Sequence, residues 1–149
     1  MKLALIASSG GHLAELHALA EFWQPEPHFW VSFKTTDAEY LLRDEKVHWA
    51  YHPTNRSPVN LARNAVLAVQ ILRDERPDVV ISTGAGVGVP FLLAGRALGM
   101  KTLYIESITR ISKLSISGRL VYPFVDRFWV QWEELAKQHG KAEFHGRVV

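Results

Sequence analysis

The chain has 149 residues, of which 48% are hydrophobic and 21% are charged, a balance typical of one ordinary globular domain. Its formal net charge is only +2, so we expect no nucleic-acid partner. The sequence contains no cysteine, which excludes disulfides, thiolate metal sites and cysteine nucleophiles. No apolar run reaches the roughly 18 residues that a transmembrane helix needs.

The first half of the chain alternates apolar runs with helical periodicity, the pattern of βαβ units and a parallel sheet. The continuous apolar run over 2–7 predicts a strand that is buried on both faces. The segments that follow predict a helix over 12–23, a strand over 28–33, a short helix over 36–44 and a strand over 47–51. Ser57 and Pro58 favour a helix start, and we expect this helix to run to about Glu75. We assign one face of this helix to Leu61, Ala65, Ala68 and Leu72. We assign the opposite, solvent-facing side to Arg63, Asn64, Gln70 and Asp74.

The second half continues the same alternation after a break at Pro77 and Asp78. Its pattern predicts strands over 79–83, 102–106 and 127–131, helices over 90–98 and 133–139, and a short helical turn near 119–124. Residues 143–149 are an edge strand or the start of a linker. We therefore predict a single domain over 1–149 of the α/β class, with a Rossmann-like parallel sheet and helices on both faces.

Ligands of an open parallel sheet bind outside the carboxyl ends of the strands, and three loops of this chain are expected there. The first has the sequence Ser8-Ser9-Gly10-Gly11-His12. Its glycines allow a close backbone approach, and a helix N-terminus presents unpaired N–H groups to an anion. His12 would face the crevice from the first helical turn as a candidate general base. The structural alternative is a tight turn with a helix-capping serine.

The second loop has the sequence Gly84-Ala85-Gly86-Val87-Gly88, with Glu106 twenty residues after Gly86. This spacing resembles a dinucleotide-binding fingerprint with its ribose-binding acid. The third glycine position is occupied by Val89, however, and the unit follows the fourth strand rather than the first. We therefore favour a backbone cradle for phosphate or sugar hydroxyls over a nicotinamide or flavin site.

The third loop, residues 106–118, holds Glu106, Ser107, Arg110 and Lys113, with Arg119 just beyond. No acidic residue lies between Glu106 and Asp126. Such a stretch suits a diphosphate or an anionic membrane surface, whereas a solvated polar loop is the structural alternative. His12 and Glu15 lie three residues apart, but no third metal ligand has a suitable spacing, and we expect no metal and no cofactor.

Several ordered motifs together carry a family resemblance. They are Ser9-Gly10-Gly11-His12 after the first strand, the run 78–84, Ile105-Glu106-Ser107, Leu114-Ser115-Ile116-Ser117-Gly118, the run 126–132 with its Val-Gln-Trp segment, and a closing Gly146-Arg147. This order resembles the acceptor-side subunit of the two-part N-acetylglucosaminyltransferase that extends dolichol-diphosphate sugars. It is equally similar to the bacterial capsule and exopolysaccharide glycosyltransferase subunits of that type. A more distant likeness is to the amino-terminal half of the enzyme that glycosylates the lipid precursor of peptidoglycan.

The resemblance implies one half of a GT-B glycosyltransferase that is divided between two polypeptides. The implied partners are a donor-binding subunit, a lipid-diphosphate-linked sugar acceptor, a UDP-sugar in the shared cleft and a membrane surface. It implies that His12 is the base for the acceptor hydroxyl. The other implied site residues face the cleft, the acceptor or its diphosphate and lipid head groups: Ser9, Gly10, Gly11, Gly84, Ala85, Gly86, Glu106, Ser107, Arg110, Lys113 and Arg119.

Eukaryotic members of this family carry an amino-terminal membrane anchor, whereas this chain begins at the first predicted strand. We therefore expect a cytoplasmic location with peripheral association at the inner face of the membrane. Two alternatives to an enzyme subunit stay open at this point. One is a non-catalytic scaffold that recruits a catalytic partner to the membrane, and the other is a nucleotide-binding oxidoreductase.

Overall fold

The computed structural model describes residues 1–54, 57–84 and 86–148, and within these ranges seven parallel strands form one sheet. The strands are β1 Leu3–Ile6, β2 His28–Phe33, β3 Val47–Ala50, β4 Val79–Ser82, β5 Lys101–Ile105, β6 Arg127–Val130 and β7 Ala142–Phe144. Their order in space is β3-β2-β1-β4-β5-β6-β7. All residues of β1 are buried because this central strand is covered on both faces, as its continuous apolar sequence predicts. The predicted parallel sheet is confirmed.

Seven helices connect the strands in the part of the chain that the structure describes. They are α1 Gly11–His17, α2 Ala20–Trp23, α3 Thr36–Leu41, α4 Pro58–Glu75, α5 Gly88–Ala97, α6 Ile116–Val121 and α7 Glu133–Gln138. Helices lie on both faces of the sheet. One apolar cluster joins the sheet to α4, α5 and α6 through residues such as Leu72, Phe91 and Val121, and another joins it to α1, α2 and α3 through residues such as Leu13 and Trp23.

The helix predicted over 12–23 is in fact two helices, α1 and α2. Leu19 leaves the helical region, with φ −86° and ψ 32°. The carbonyl of Leu16 accepts from the N–H of Leu19 and from the indole of Trp23, each at 3.1 Å, in the tight turn that ends α1. Apolar periodicity continues through this break, which is why the sequence pattern alone predicts one helix.

The bounds of α4 match the prediction, but its buried face differs. Ser57 accepts from the N–H of Asn60 at 3.3 Å as the N-cap. Leu61 and Ala65 are exposed, whereas Asn64 is fully buried, and the solvent-facing assignment of Asn64 is wrong. Its side-chain amide bonds the N–H of Tyr51 at 2.9 Å and the carbonyl of Tyr51 at 3.0 Å. A buried asparagine is tolerated here because it satisfies the backbone where β3 ends.

The last strand, β7, lies at one edge of the sheet but ends at Phe144, so only the start of the segment 143–149 forms the predicted edge strand. The residues after it contact the segment that follows β6. The N–H of Val148 donates to the side-chain carbonyl of Gln131 at 2.8 Å, and the guanidinium of Arg147 lies 4.1 Å from the ring centre of Trp132. The closing Gly146-Arg147 motif is thereby attached to the Val-Gln-Trp segment.

Candidate active site at the carboxyl end of the sheet

A cleft of about 670 Å³ lies at the carboxyl ends of the strands, where the predicted loops meet. It is bordered by the loops after β1, β4 and β5 and also by segments that follow β2 and β3. Of the predicted site residues, those that line it are Ser9, Gly11, His12, Gly86, Glu106, Ser107 and Arg110. Lys113 and Arg119 are exposed further along the third loop and on α6. Ala85 lies outside the described residues.

His12 is half-buried in the first turn of α1 and is held by reciprocal bonds to Thr83. Its Nδ1 lies 3.0 Å from the carbonyl oxygen of Thr83, and the hydroxyl of Thr83 donates to the carbonyl of His12 at 2.6 Å. Because a carbonyl can only accept, Nδ1 must carry the proton of this bond. In the neutral imidazole Nε2 then has the free lone pair that a general base needs.

Gly84 makes room for this imidazole. Its φ of +124° lies in a region that glycine favours, and a Cβ there would lie 3.1 Å from both Nδ1 and Cε1 of His12. The N–H of Gly84 donates to the hydroxyl of Ser82 at 3.1 Å. Gly84 thus accommodates the ring of His12, and its backbone N–H has a partner within the protein instead of being directed at a ligand.

The glycine loop after β1 is held from outside by Asp37. The N–H of Gly10, a residue with φ +80°, donates to Asp37 Oδ2 at 2.8 Å, and Thr35 donates to Asp37 Oδ1 at 2.6 Å. These bonds, that of Thr35 first and that of Gly10 second, hold the pKa of Asp37 below its usual value. Among the described atoms, no side chain caps α1, so the capping-serine alternative is not what forms this turn.

Glu106 is buried, with 1% of its surface exposed, and its carboxylate binds the start of α6. It accepts from the N–H of Ser115 at 2.9 Å, from the hydroxyl of Ser115 at 2.9 and 3.0 Å, and from the N–H of Ser107 at 3.1 Å. The phenol of Tyr104 donates to it at 3.3 Å, and burial followed by the charge of Glu106 raises the pKa of Tyr104 above its usual value.

The Leu-Ser-x-Ser-Gly segment is explained by these contacts. The hydroxyl of Ser115 accepts from the N–H of Gly118 at 2.9 Å and caps α6, which therefore begins at Ile116 instead of near Arg119 as predicted. A Cβ on Gly118 would overlap Glu106 Oε2. The leucine of the segment, Leu114, is buried in the core.

Glu15 also lines the cleft, although its sequence spacing pointed only to a metal site that lacks a third ligand. Its Oε1 accepts from the N–H of Ile108 at 3.2 Å and from the hydroxyl of Ser107 at 3.3 Å. Its Oε2 accepts from the side-chain amide of Gln131 at 3.3 Å, and this same amide donates to the carbonyl of Glu106 at 2.9 Å. The available signal was its position three residues after His12, which places both side chains on one face of a helix.

The segments after β2 and β3 also belong to the cleft, although the sequence pattern did not predict them as parts of the site. Thr35, His52 and Thr54 line the cleft, and the ring of His52 lies 5.3 Å from that of Phe33. A Cβ on Gly86 would lie 3.0 Å from the hydroxyl of Thr54, so Gly86 allows this approach. These residues follow strands as the predicted loops do, but they lack the glycines by which the other loops are recognisable as candidate binding loops.

Arg110, Lys113 and Arg119 are exposed, and within residues 1–54, 57–84 and 86–148 no carboxylate forms an ion pair with them. Large apolar side chains are exposed beside them, namely Ile111, Ile116, Leu120 and Phe124. The described residues contain no cluster of histidine and acidic side chains that could hold a metal ion. Among the described helices, none combines the length and apolar character that crossing a bilayer requires.

A family model described as "Oligosaccharide biosynthesis protein Alg14 like" matches residues 32–148. The chain belongs to the Alg14 family. Relatives within it include UDP-N-acetylglucosamine transferase subunit ALG14 of Yarrowia lipolytica, 36% identical over 125 residues that make up 80% of this chain and 56% of that protein. The human subunit of the same name is 33% identical over 89 residues, 56% of this chain and 41% of that protein. The Alg14-family chain thus spans about half the length of the curated relatives it matches.

Solved structures support the fold of this Alg14-family chain. Acinetobacter baumannii MurG aligns with a TM-score of 0.73 at 17% identity, over 99% of this chain and 44% of MurG. Staphylococcus aureus MnaA in its UDP co-structure aligns with a TM-score of 0.78 at 13% identity, over 99% of this chain and 45% of MnaA. The predicted family and the Rossmann-like fold, that of one GT-B half, are confirmed. Family membership gives no support to the oxidoreductase alternative.

Proposed function

We propose that this chain is the acceptor-side subunit of a two-component GT-B glycosyltransferase. The reaction transfers a sugar from a UDP-sugar, UDP-N-acetylglucosamine or a related UDP-hexose, to a lipid-diphosphate-linked acceptor. The names of the relatives, as UDP-N-acetylglucosamine transferase subunits, support the reaction class. The observation that carries the proposal for this chain is the bond between His12 Nδ1 and the carbonyl of Thr83, which leaves Nε2 available in a cleft also lined by Arg110.

In the proposed reaction, Nε2 of His12 removes the proton from the acceptor hydroxyl as its oxygen attacks the anomeric carbon of the donor sugar. The new oxygen–carbon bond forms while the bond from that carbon to the UDP oxygen breaks, and UDP leaves with the bonding electrons. The imidazolium that results keeps its hydrogen bond to the carbonyl of Thr83, which stabilises its charge. A positioned base of this kind contributes about 10²- to 10⁴-fold to a rate.

The donor site is proposed to belong to a partner subunit. The solved structures that match this chain are about twice its length, and it aligns with 44% of MurG and 45% of MnaA. One Rossmann-like domain supplies one wall of a two-domain cleft, and ligands of such enzymes lie between the walls. We therefore expect turnover only when the donor-binding half is present.

Arg110 is proposed to bind the acceptor diphosphate, and the exposed surface beside it to contact the membrane in which the lipid acceptor lies. Arginine binds phosphate oxygens in a bidentate manner. The cations Lys113 and Arg119 lie among exposed apolar side chains, among them Leu120 at 55% and Phe124 at 48% exposure. A cationic surface with apolar side chains suits an anionic bilayer.

The test is a transfer assay with the reconstituted pair of subunits, labelled UDP-N-acetylglucosamine and a lipid-diphosphate acceptor in vesicles. His12→Ala is expected to lower turnover by about 10²-fold or more because the general base is lost. His139→Ala is the matched control, since this histidine packs against Tyr122 at the far end of α7. Unchanged turnover of His12→Ala would favour the non-catalytic scaffold.

A second arm of the same assay addresses the membrane. Wild-type chain is expected to sediment with phosphatidylglycerol vesicles more than with phosphatidylcholine vesicles because anionic lipid attracts the cations. Leu120→Ser combined with Phe124→Ser should weaken this sedimentation. Equal sedimentation of wild type and variant would remove this surface from the proposal while leaving the chemistry of His12 untouched.

A further inference from the structure

The loop between β5 and α6, residues 107–115, is held by a carboxylate at each of its ends. At the first end Glu15, which belongs to α1, accepts from the hydroxyl of Ser107 at 3.3 Å and the N–H of Ile108 at 3.2 Å. At the second end Glu106, the residue before the loop, accepts from the N–H of Ser115 at 2.9 Å and from its hydroxyl. The exposed side chain of Arg110 lies between these two attachments.

Gln131 and Trp132, directly after β6, complete the attachment. The side-chain amide of Gln131 donates to Glu15 Oε2 at 3.3 Å and to the carbonyl of Glu106 at 2.9 Å. The indole of Trp132 donates to the carbonyl of Ile108 at 2.7 Å. The start of the loop is therefore bonded both to α1 and to the segment that follows β6, and its position relative to His12 on α1 depends on Glu15.

The donors that reach Glu15 and Glu106 in the described residues are neutral hydroxyl, amide and backbone groups. The bonds from Ser115 to Glu106, at 2.9 Å, are the shorter ones, and the bonds to Glu15 measure 3.2 to 3.3 Å. These neutral donors supply the hydrogen bonds of both carboxylates, so no cation of the loop is used for them. Arg110 is thereby left to an external anion, and in the described ranges no carboxylate pairs with it.

We propose that Glu15 and Glu106 are positioning residues that hold the 107–115 loop so that Arg110 meets the acceptor diphosphate beside His12. Neither carboxylate transfers a proton or binds the acceptor directly. For Glu106 this replaces the acceptor-binding role expected from the sequence, since its carboxylate is buried and bonded to Ser115. The inference rests on the proposed function, because it assigns a diphosphate to Arg110.

The experiment uses Glu15→Ala, the conservative variant Glu15→Gln, and Glu21→Ala, an exposed carboxylate of α2, as the control. In the full chain, hydrogen exchange of the Ile108 amide should accelerate by about tenfold or more in Glu15→Ala, because a bond to a charged acceptor is lost. In the complex with the donor subunit, KM for the acceptor should rise by about tenfold while kcat stays within about threefold. The midpoint of the pH–rate profile should not move. Glu15→Gln keeps one acceptor oxygen, so its Ile108 exchange rate and its KM for the acceptor should lie between those of Glu15→Ala and wild type.

A second variant, Ser115→Ala, tests the other end of the loop without removing a buried charge. It deletes the hydroxyl bonds to Glu106 and the bond that caps the N–H of Gly118. We expect the hydrogen exchange of the Gly118 amide to accelerate and KM for the acceptor to rise. A fall of kcat by about tenfold with unchanged KM, or a shifted pH midpoint, would give the carboxylates a chemical role and overturn the inference. Unchanged exchange at Ile108 in Glu15→Ala would overturn it as well. Absence of transfer by the wild-type pair would instead count against the proposed function, since the exchange data do not depend on turnover.

Discussion

Glu75 and Glu106 are buried carboxylates at opposite ends of the same sheet, and they are stabilised in different ways. Glu75 ends α4 near the amino ends of the strands, where it contacts Lys46 Nζ at 2.8 Å, Lys2 Nζ at 3.0 Å and His48 Nε2 at 2.7 Å. Burial alone would raise the pKa of Glu75, but the bonds from His48, Lys46 and Lys2 outweigh it and bring the pKa to about 2.

At the carboxyl end, the described donors to Glu106 are uncharged groups of Tyr104, Ser107 and Ser115. The nearby cation, Arg110, stays exposed. The charges of this fold are thus distributed differently at the two ends of the sheet. Where the sheet is only held together, cations neutralise a buried acid. Where a ligand is proposed to bind, uncharged donors hydrogen-bond the buried acid without neutralising it, and the cation remains available to an anion.

The largest effect on stability is expected from Glu75→Gln. The fall in the pKa of Glu75 from 4.5 to about 2 corresponds to about 3 kcal/mol of folding free energy. Because the folded-state pKa is lowered, this stability is fully present above the unfolded-state pKa and is lost as the pH falls toward about 2. Urea unfolding at neutral pH should show the variant destabilised by about this amount.

The same unfolding measurement repeated at several pH values tests whether the charge of Glu75 is the cause of this stability. The gap between wild type and Glu75→Gln should shrink as the pH falls from about 5 to about 2, because wild type is protonated there. Asp44→Asn, at a side chain that is 90% exposed, should leave the free energy of unfolding unchanged within about 0.5 kcal/mol. A gap that stays constant over this acid range would show that the cations do not stabilise Glu75 by its charge.

Gly118→Ala should have the next largest effect, at the other end of the sheet. The added Cβ would overlap Glu106 Oε2, so either the carboxylate or the start of α6 must move. Overpacking of this kind costs about 1–3 kcal/mol. The measurement is the free energy of unfolding, with Gly140→Ala as the matched control, since among the described atoms nothing lies within 4 Å of a Cβ at Gly140. Equal stability of the two variants would mean that Glu106 is not confined by Gly118.

Much of the fold could be predicted because it depends on local pattern. The strand at His28–Phe33 and the helix at Pro58–Glu75 agree with prediction at both ends, since apolar runs, prolines and an N-cap mark them. The buried face of α4 could not be predicted in the same way. Asn64 is buried because it bonds the backbone of Tyr51, a tertiary contact that hydrophobic periodicity does not report.

The same limit applies to the candidate site. His12 could be placed in the cleft because it follows a glycine pair at the end of a buried strand. The contacts of Glu15 could not be predicted, since its partner Gln131 lies 116 residues further along the chain. Glu106 was predicted at the right place, but its burial and its bonds to Ser115 became evident only in three dimensions. Ala85, which was also predicted as a site residue, lies outside the described residues.

The smallest effect is expected from Asp37→Asn, which extends the comparison to an exposed carboxylate. Asp37 bonds Gly10 and Thr35, and its pKa is lowered, so its contribution too is present near neutral pH and lost on acidification. Solvent screens an exposed charge, and the asparagine keeps one acceptor oxygen. The free energy of unfolding should therefore change by only about 0.5 kcal/mol. Turnover should stay within about threefold because Thr83 still holds His12. If Asp37→Asn instead destabilised the protein as much as Glu75→Gln, then burial would not be what separates these carboxylates, and their hydrogen-bond donors alone would have to explain the difference.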